Sequence, residues 1–205
     1  MDSSRPDATP ANPADQPATT AGSPQELFDA AHSLAADDAL WEAALHLMQG
    51  FEKLGDKADA PQTDSLGRPI RGSAPKLMDK AADWLELLDN LEKDGVEPKE
   101  GTPPRHLRWA MWHTLSGQAE IRRGHQGRAI DHLELAAGLF QSESLNSQAV
   151  ALLAQIAECH LDLGDVGRAE DALFRAQPLA DDTTRARYGD ALGQISAEIA
   201  RRLRA

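Results

Sequence analysis

Side chains able to do chemistry are few in this chain, and their spacing excludes most of it. There are seven histidines and one cysteine. His106 and His113 stand seven residues apart, as do His125 and His132. On a helix each pair shares a face but sits two turns apart, whereas a zinc pair on one helix wants a spacing of about four. No second cysteine and no HExxH segment completes a ligand set, so these histidines read as surface or capping residues and no metal is expected. Cys159 and His160 are adjacent, and helical neighbours point about 100° apart, which defeats a nucleophile–base pair. Asp37-Asp38 reads as an N-capping pair at the positive end of a helix dipole. The segment LGRPIRG (residues 66–72) lacks the Lys-Ser/Thr of a phosphate loop. Trp109 and Trp112, three apart on one helix face, read as core. Arg201, Arg202 and Arg204 suit the negative end of a terminal helix dipole and need no partner there. No catalytic set and no cofactor site emerges, so the chain is not expected to be an enzyme.

The elements that carry these residues are helical. The chain has 205 residues, only 4% of them aromatic, and it is rich in alanine and leucine. A single cysteine excludes an internal disulfide framework. No run approaches the roughly 20 apolar residues that cross a bilayer. The start, MDSSRPDATP, has no basic segment followed by an apolar one. A cytoplasmic protein without a membrane partner is therefore expected. The formal charge of −12 argues against nucleic acid, because neutralising phosphates needs a basic surface. That charge is uneven: residues 1–104 carry 9 Lys/Arg against 20 Asp/Glu, and residues 105–205 carry 12 against 13. All basic residues after Lys99 are arginine, either by compositional drift or because they are offered to an acidic partner.

Residues 1–22 read as a disordered tail, with four prolines among Ala, Thr, Ser and Asp. Residues 23–205 read as one helical domain. Ser23, Pro24 and Glu26 form the signature of a capping box that opens a first helix running to about Ala36. A second helix follows Asp37-Asp38 and ends at Gly55-Asp56. Residues 57–72 read as a long inserted loop. Ser73 is expected to cap a third helix, which Gly95 stops. Further helices are expected over about 104–123, 126–141 and 145–163. A seventh ends before Pro178, and an eighth, capped by Asp182 or Thr183, runs to the C-terminus. The short links make sequential helices fold as antiparallel hairpins.

Two stretches are self-similar. Residues 112–136 and 152–176 align with an offset of 40, pairing Gly117 with Ala157, Gly124 with Gly164, Ala129 with Ala169, Leu133 with Leu173 and Ala136 with Ala176. Small residues are wanted where two helix axes cross closely. This pattern resembles the tetratricopeptide repeat. A weaker copy is phased through Ala44, Leu47, Met48, Phe51, Gly55 and Asp56, with Ala81, Leu85 and Leu88 in its second helix. A rival phasing runs through Leu27, Ala31, Leu34, Ala43 and Leu47. The family's tyrosine-like position holds Glu120 and His160, a departure.

The resemblance implies an all-α fold: antiparallel helical hairpins stacked as a short right-handed solenoid with a C-terminal capping helix. It implies a concave groove, lined by first helices, that holds a peptide or partner protein. Carried over by position, the groove residues are Met111, Thr114, Gln118, Ile121 and Arg122. The last repeat adds Ala151, Ala154, Gln155, Glu158, Leu161 and Asp162, and the weak first one Leu45, Gln49 and Lys53. Thr114 and Gln118 stand where chaperone-tail binders of the family carry Lys and Asn, so such tails are not the expected ligand. The expected function is a non-catalytic adaptor or scaffold. The alternatives are a dedicated secretion or assembly chaperone and a small-ligand sensor domain.

Overall fold

A computed structural model describes residues 23–54 and 74–204. The expected tail at 1–22, the loop at 57–72, the Gly55-Asp56 stop and the Ser73 cap lie outside the described residues. Within them every regular element is helical: α1 Pro24–Ala36, α2 Leu40–Leu54, α3 Ala74–Lys93, α4 Arg105–Arg122, α5 Gln126–Ser142, α6 Asn146–Asp162, α7 Val166–Ala176 and α8 Asp182–Leu203. A single 3₁₀ turn, Gln177–Leu179, carries Pro178 and separates α7 from α8.

The helix ends follow local chemistry. The capping box at α1 forms as expected: Ser23 N–H donates to Glu26 Oε2 at 2.6 Å and Glu26 N–H donates to Ser23 Oγ at 3.3 Å. Asp37-Asp38 does not cap α2. Asp37 ends α1, and Asp38 adopts a left-handed φ of 56° in the turn. The cap of α8 is Asp181, one residue before the expected pair, and its Oδ1 accepts from Thr184 N–H at 2.7 Å.

One turn is used five times. Asp38, Gly95, Gly124, Ser144 and Gly164 all have positive φ. Each donates its N–H to the carbonyl three residues back, and the next residue donates to the carbonyl five back, as in Gly124→Ile121 (2.9 Å) with His125→Glu120 (2.9 Å). This Schellman pairing satisfies the carbonyls left over at a helix C-terminus. It also reverses the chain. Asp79 near the start of α3 meets Arg123 after α4, and Asp89 near the end of α3 meets Arg105 at the start of α4, so the two helices are antiparallel. His106–Glu143 does the same for α4 and α5, and Gln126–Asp162 for α5 and α6.

Consecutive helices from α1 to α7 pack on one another, and α8 lies against both α6 and α7. The core falls into two clusters that share α4. Leu115 and Ala119 join Phe28, Leu47, Ala81 and Leu85 from α1–α3. Leu107 and Ala110 join Leu133, Phe140, Leu153, Ile156, Leu173 and Ile199 from α5–α8. Alanines mark the closest crossings: Ala31, Ala43, Ala129, Ala136, Ala157, Ala169 and Ala176 are wholly buried. At Gly117 even alanine is too large, because a Cβ there would stand 2.8 Å from Leu133 Cδ2 and 3.3 Å from the Ala129 carbonyl oxygen. Salt links tie the α3–α4 hairpin. Buried Arg108 donates to the Pro103 carbonyl at 2.7 Å and pairs with Glu92, while Asp89 accepts from Arg105 and from Lys93 at 2.8 Å. At the far end Arg202 of α8 donates to the Leu161 carbonyl, which also accepts from Gly164 N–H at 2.9 Å in the turn that ends α6.

Gly117→Leu should therefore destabilise the fold by about 2 kcal/mol through overpacking. Gly138→Ala, mid-helix in α5 with nothing near its Cβ position, should instead stabilise it by up to about 1 kcal/mol. Urea unfolding of both variants checks this pair of opposite signs.

Candidate functional site

The alternation of helices sorts side chains onto two faces. One face carries a groove of about 1000 Å³. It is built mainly from α2 (Leu45, Met48, Gln49), α4 (Met111, Thr114, Leu115, Gln118, Ile121, Arg122) and α6 (Gln148, Ala151, Leu152, Gln155, Glu158). Met78 of α3, Phe140 of α5 and Tyr188 of α8 complete its walls. On α4 the lining residues recur every three or four positions, which keeps them on one stripe of the helix.

Seven of the ten groove residues expected from the sequence line this cavity: Met111, Thr114, Gln118, Ile121, Arg122, Gln155 and Glu158. Ala151, Leu45 and Gln49 line it as well. Ala154 and Leu161 do not; both are buried in the α5–α8 core. Asp162 stands outside the groove at the end of α6 and accepts from Gln126 Nε2 at 3.3 Å. Lys53 is exposed and also lies outside it. The displaced residues share a cause. α6 packs against α5, α7 and α8, so its last turns have more buried faces than a position-by-position transfer from α4 allows. The walls that sequence reasoning missed, Met78, Phe140 and Tyr188, come from the other set of helices and from α8.

The groove's chemistry is apolar with amide edges. Met48, Met78 and Met111 supply unbranched, polarizable side chains that adapt to irregular partners. Gln49, Gln118, Gln148 and Gln155 each bring a donor and an acceptor on one amide. Glu158 is the groove's carboxylate. The surrounding protein, and then the Asp162 carboxylate, push its pKa above the ordinary glutamate value.

Other carboxylates between helices are neutralised within the chain. Burial pushes the pKa of Asp89 up, but hydrogen bonds and charge from Lys93 and Arg105 outweigh it and hold the group below the usual carboxylate range. Arg123 and His125 do the same for Glu120. Glu134 takes a two-pronged pair from Arg175 at 2.7 Å. Glu198 takes Arg201 and Arg202, which bring its pKa down to about 2. These arginines are paired within the chain, including Arg201 and Arg202 at the end of α8, which were expected to need no partner.

The opposite face of α4 carries aromatic and imidazole rings. Trp109 and Trp112 meet edge-on at 5.3 Å between centroids, and both contact His113. His113 Nδ1 and His132 Nδ1 stand 3.0 Å apart across the α4–α5 hairpin. One ring donates and the other accepts, so the pair is satisfied when neutral. Among the described residues no group of three or more His, Cys, Asp or Glu side chains is placed to hold a metal ion. Cys159 is buried, and burial pushes its thiol up to about 11, the reverse of an activated nucleophile. No described helix is long and apolar enough to cross a membrane.

Set against protein-family models, curated proteins and solved structures, the chain matches none.

Burial, then the neighbouring His132, lower the pKa of His113; burial chiefly lowers that of His160. The folded chain thus binds fewer protons than the unfolded chain once the pH falls below the free-histidine value of about 6.5. That contribution to stability is present above about pH 6.5 and is lost as pH falls through the lowered folded values. The urea midpoint should drop between about pH 7.5 and about pH 5.5. The drop should be smaller in the double variant His113→Gln/His160→Gln.

Proposed function

We propose that this chain is a non-catalytic helical-repeat protein of the tetratricopeptide type. In this reading it is an adaptor or scaffold in the cytoplasm, with hairpins stacked as a short right-handed solenoid that α8 caps. Its groove holds a segment of a partner protein. The observation that carries the reading is the groove itself, whose walls come from alternate helices α2, α4 and α6 and whose lining includes Met111, Thr114, Gln118, Gln155 and Glu158. Its volume of about 1000 Å³ stands at the upper end of the range for small-molecule sites.

The equivalence of the two self-similar stretches supports the repeat. Gly124 and Gly164 have φ of 76° and 77°, and their turns make the same pair of backbone hydrogen bonds. Ala129 and Ala169, and Ala136 and Ala176, are wholly buried at matching positions. The position of α2 beside α4 and α6 in the groove favours pairing α2 with α3. The buried Ala31, Ala43 and Leu47 and the Asp38 turn fit the pairing of α1 with α2 equally well. Met48, Met78 and Met111 favour a second reading, a dedicated chaperone whose groove adapts to one unstable client.

A random peptide library displayed on phage and selected on the wild-type chain tests the groove. Selected peptides should lose at least about tenfold in affinity on Ala151→Arg, which places a long charged side chain in the cavity, because each tenfold is only about 1.4 kcal/mol. They should weaken measurably on Gln118→Ala and Arg122→Ala. Peptides that bind all three variants as tightly as wild type would count against this groove. Co-purification of a single client that aggregates alone distinguishes the chaperone from a general adaptor.

A further inference from the structure

The groove leaves one carboxylate unmatched, and that decides the kind of segment it takes. Asp79, Asp89, Glu92, Glu120, Glu134 and Glu198 all hold Lys or Arg partners from the same chain. Glu158 holds none among the described residues, yet it lines the groove, solvent-exposed there, one helical turn before the Asp162 carboxylate. A carboxylate one helical turn from a second carboxylate is relieved by a cation. The surroundings are apolar: Leu152, Phe140, Met111 and Met48 line the same cavity. The net charge of −12 raises the local concentration of basic partners and repels acidic ones. Arg105, Arg108, Arg123, Arg175, Arg201 and Arg202 hold carboxylates of this chain, and Arg122, the arginine that lines the groove, is itself engaged in an interaction.

We propose that the occupant of the groove is a partner-protein segment with a lysine or arginine flanked by apolar residues, its cation seated on Glu158 and its apolar side chains on the methionine-lined walls. This rests on the groove reading above and adds the identity of the recognised side chain. Glu158 is the residue that sets specificity, and the methionines supply contact area without sequence preference.

The experiment is a parallel selection of one random peptide library on wild type, on Glu158→Gln and on Glu158→Lys, with Ala151→Arg as the blocked groove. Circular dichroism first establishes that each variant is folded. Wild type should enrich Lys or Arg flanked by apolar residues, and those peptides should bind Glu158→Gln about tenfold more weakly, about 1.4 kcal/mol. Glu158→Lys should turn the enrichment toward Asp or Glu. If peptides depend on an open groove but show no basic enrichment, or the same enrichment on Glu158→Gln, this inference is overturned while the groove reading stands. If acidic peptides are enriched on wild type, it is overturned too. Peptides indifferent to Ala151→Arg would overturn both.

Discussion

The absence of one methyl group at Gly117 sets the spacing on which this helix stack depends. α4 contributes to both core clusters and to the centre of the groove, so its distance from α5 fixes how the two halves of the chain meet. Leu133 fills the space a side chain at 117 would occupy, and Leu133 is itself wholly buried. Because protein interiors are packed as densely as organic crystals, such a contact does not yield gradually. Gly50 has the same role between α1 and α2, where a Cβ would stand 2.9 Å from Phe28 Cδ1. Close crossings at buried alanines then carry the spacing through α5, α6 and α7. The groove follows from this regularity: small residues between helices let the next helices present their larger side chains on one face.

Charge is arranged around the same scaffold. Ion pairs join α3 to α4 at both ends of that hairpin, α5 to α7 through Glu134–Arg175, and Glu198 to Arg201 and Arg202 within α8, while a hydrogen bond from Arg202 to the Leu161 carbonyl ties α8 to α6. Exposed pairs of this kind contribute little to stability one by one, about 0–1 kcal/mol each. Their consequence here is that several arginines of the second half, among them Arg105, Arg123, Arg175 and Arg202, pair with the chain's own carboxylates. Surface charge is left predominantly acidic, and Glu158 is left inside the groove without a cation from the described residues.

Much of the scaffold was legible in the sequence because its signals are local. The capping box at Ser23–Glu26, the stops at Gly95, Gly124 and Gly164, and the offset of 40 all depend on residues within a few turns of one another. Asp38 and Ser144 were not legible as turn residues, because they take left-handed φ without the glycine that advertises it. The Asp37-Asp38 pair consequently looked like a cap for the next helix when it ends the previous one. The α4 residues that line the groove are, Leu115 apart, those the resemblance implied. Ala154 and Leu161 lie in the α5–α8 core and not along the groove, because α6 is covered by a helix, α8, that has no counterpart over α4. The His113–His132 pair joins two helices that spacing along the chain does not relate, and nothing in either helix alone marks it.

The central claim is that the face formed by α2, α4 and α6 is where this protein meets its partner. Amide hydrogen exchange of the full chain, with and without a saturating peptide selected from a random library, measures it directly. Slowed exchange should concentrate in α4 around 111–122 and in α6 around 148–158, with a smaller effect in α2. Slowing confined to α7, α8 or the Trp109–Trp112 face of α4, with those segments unchanged, would contradict it.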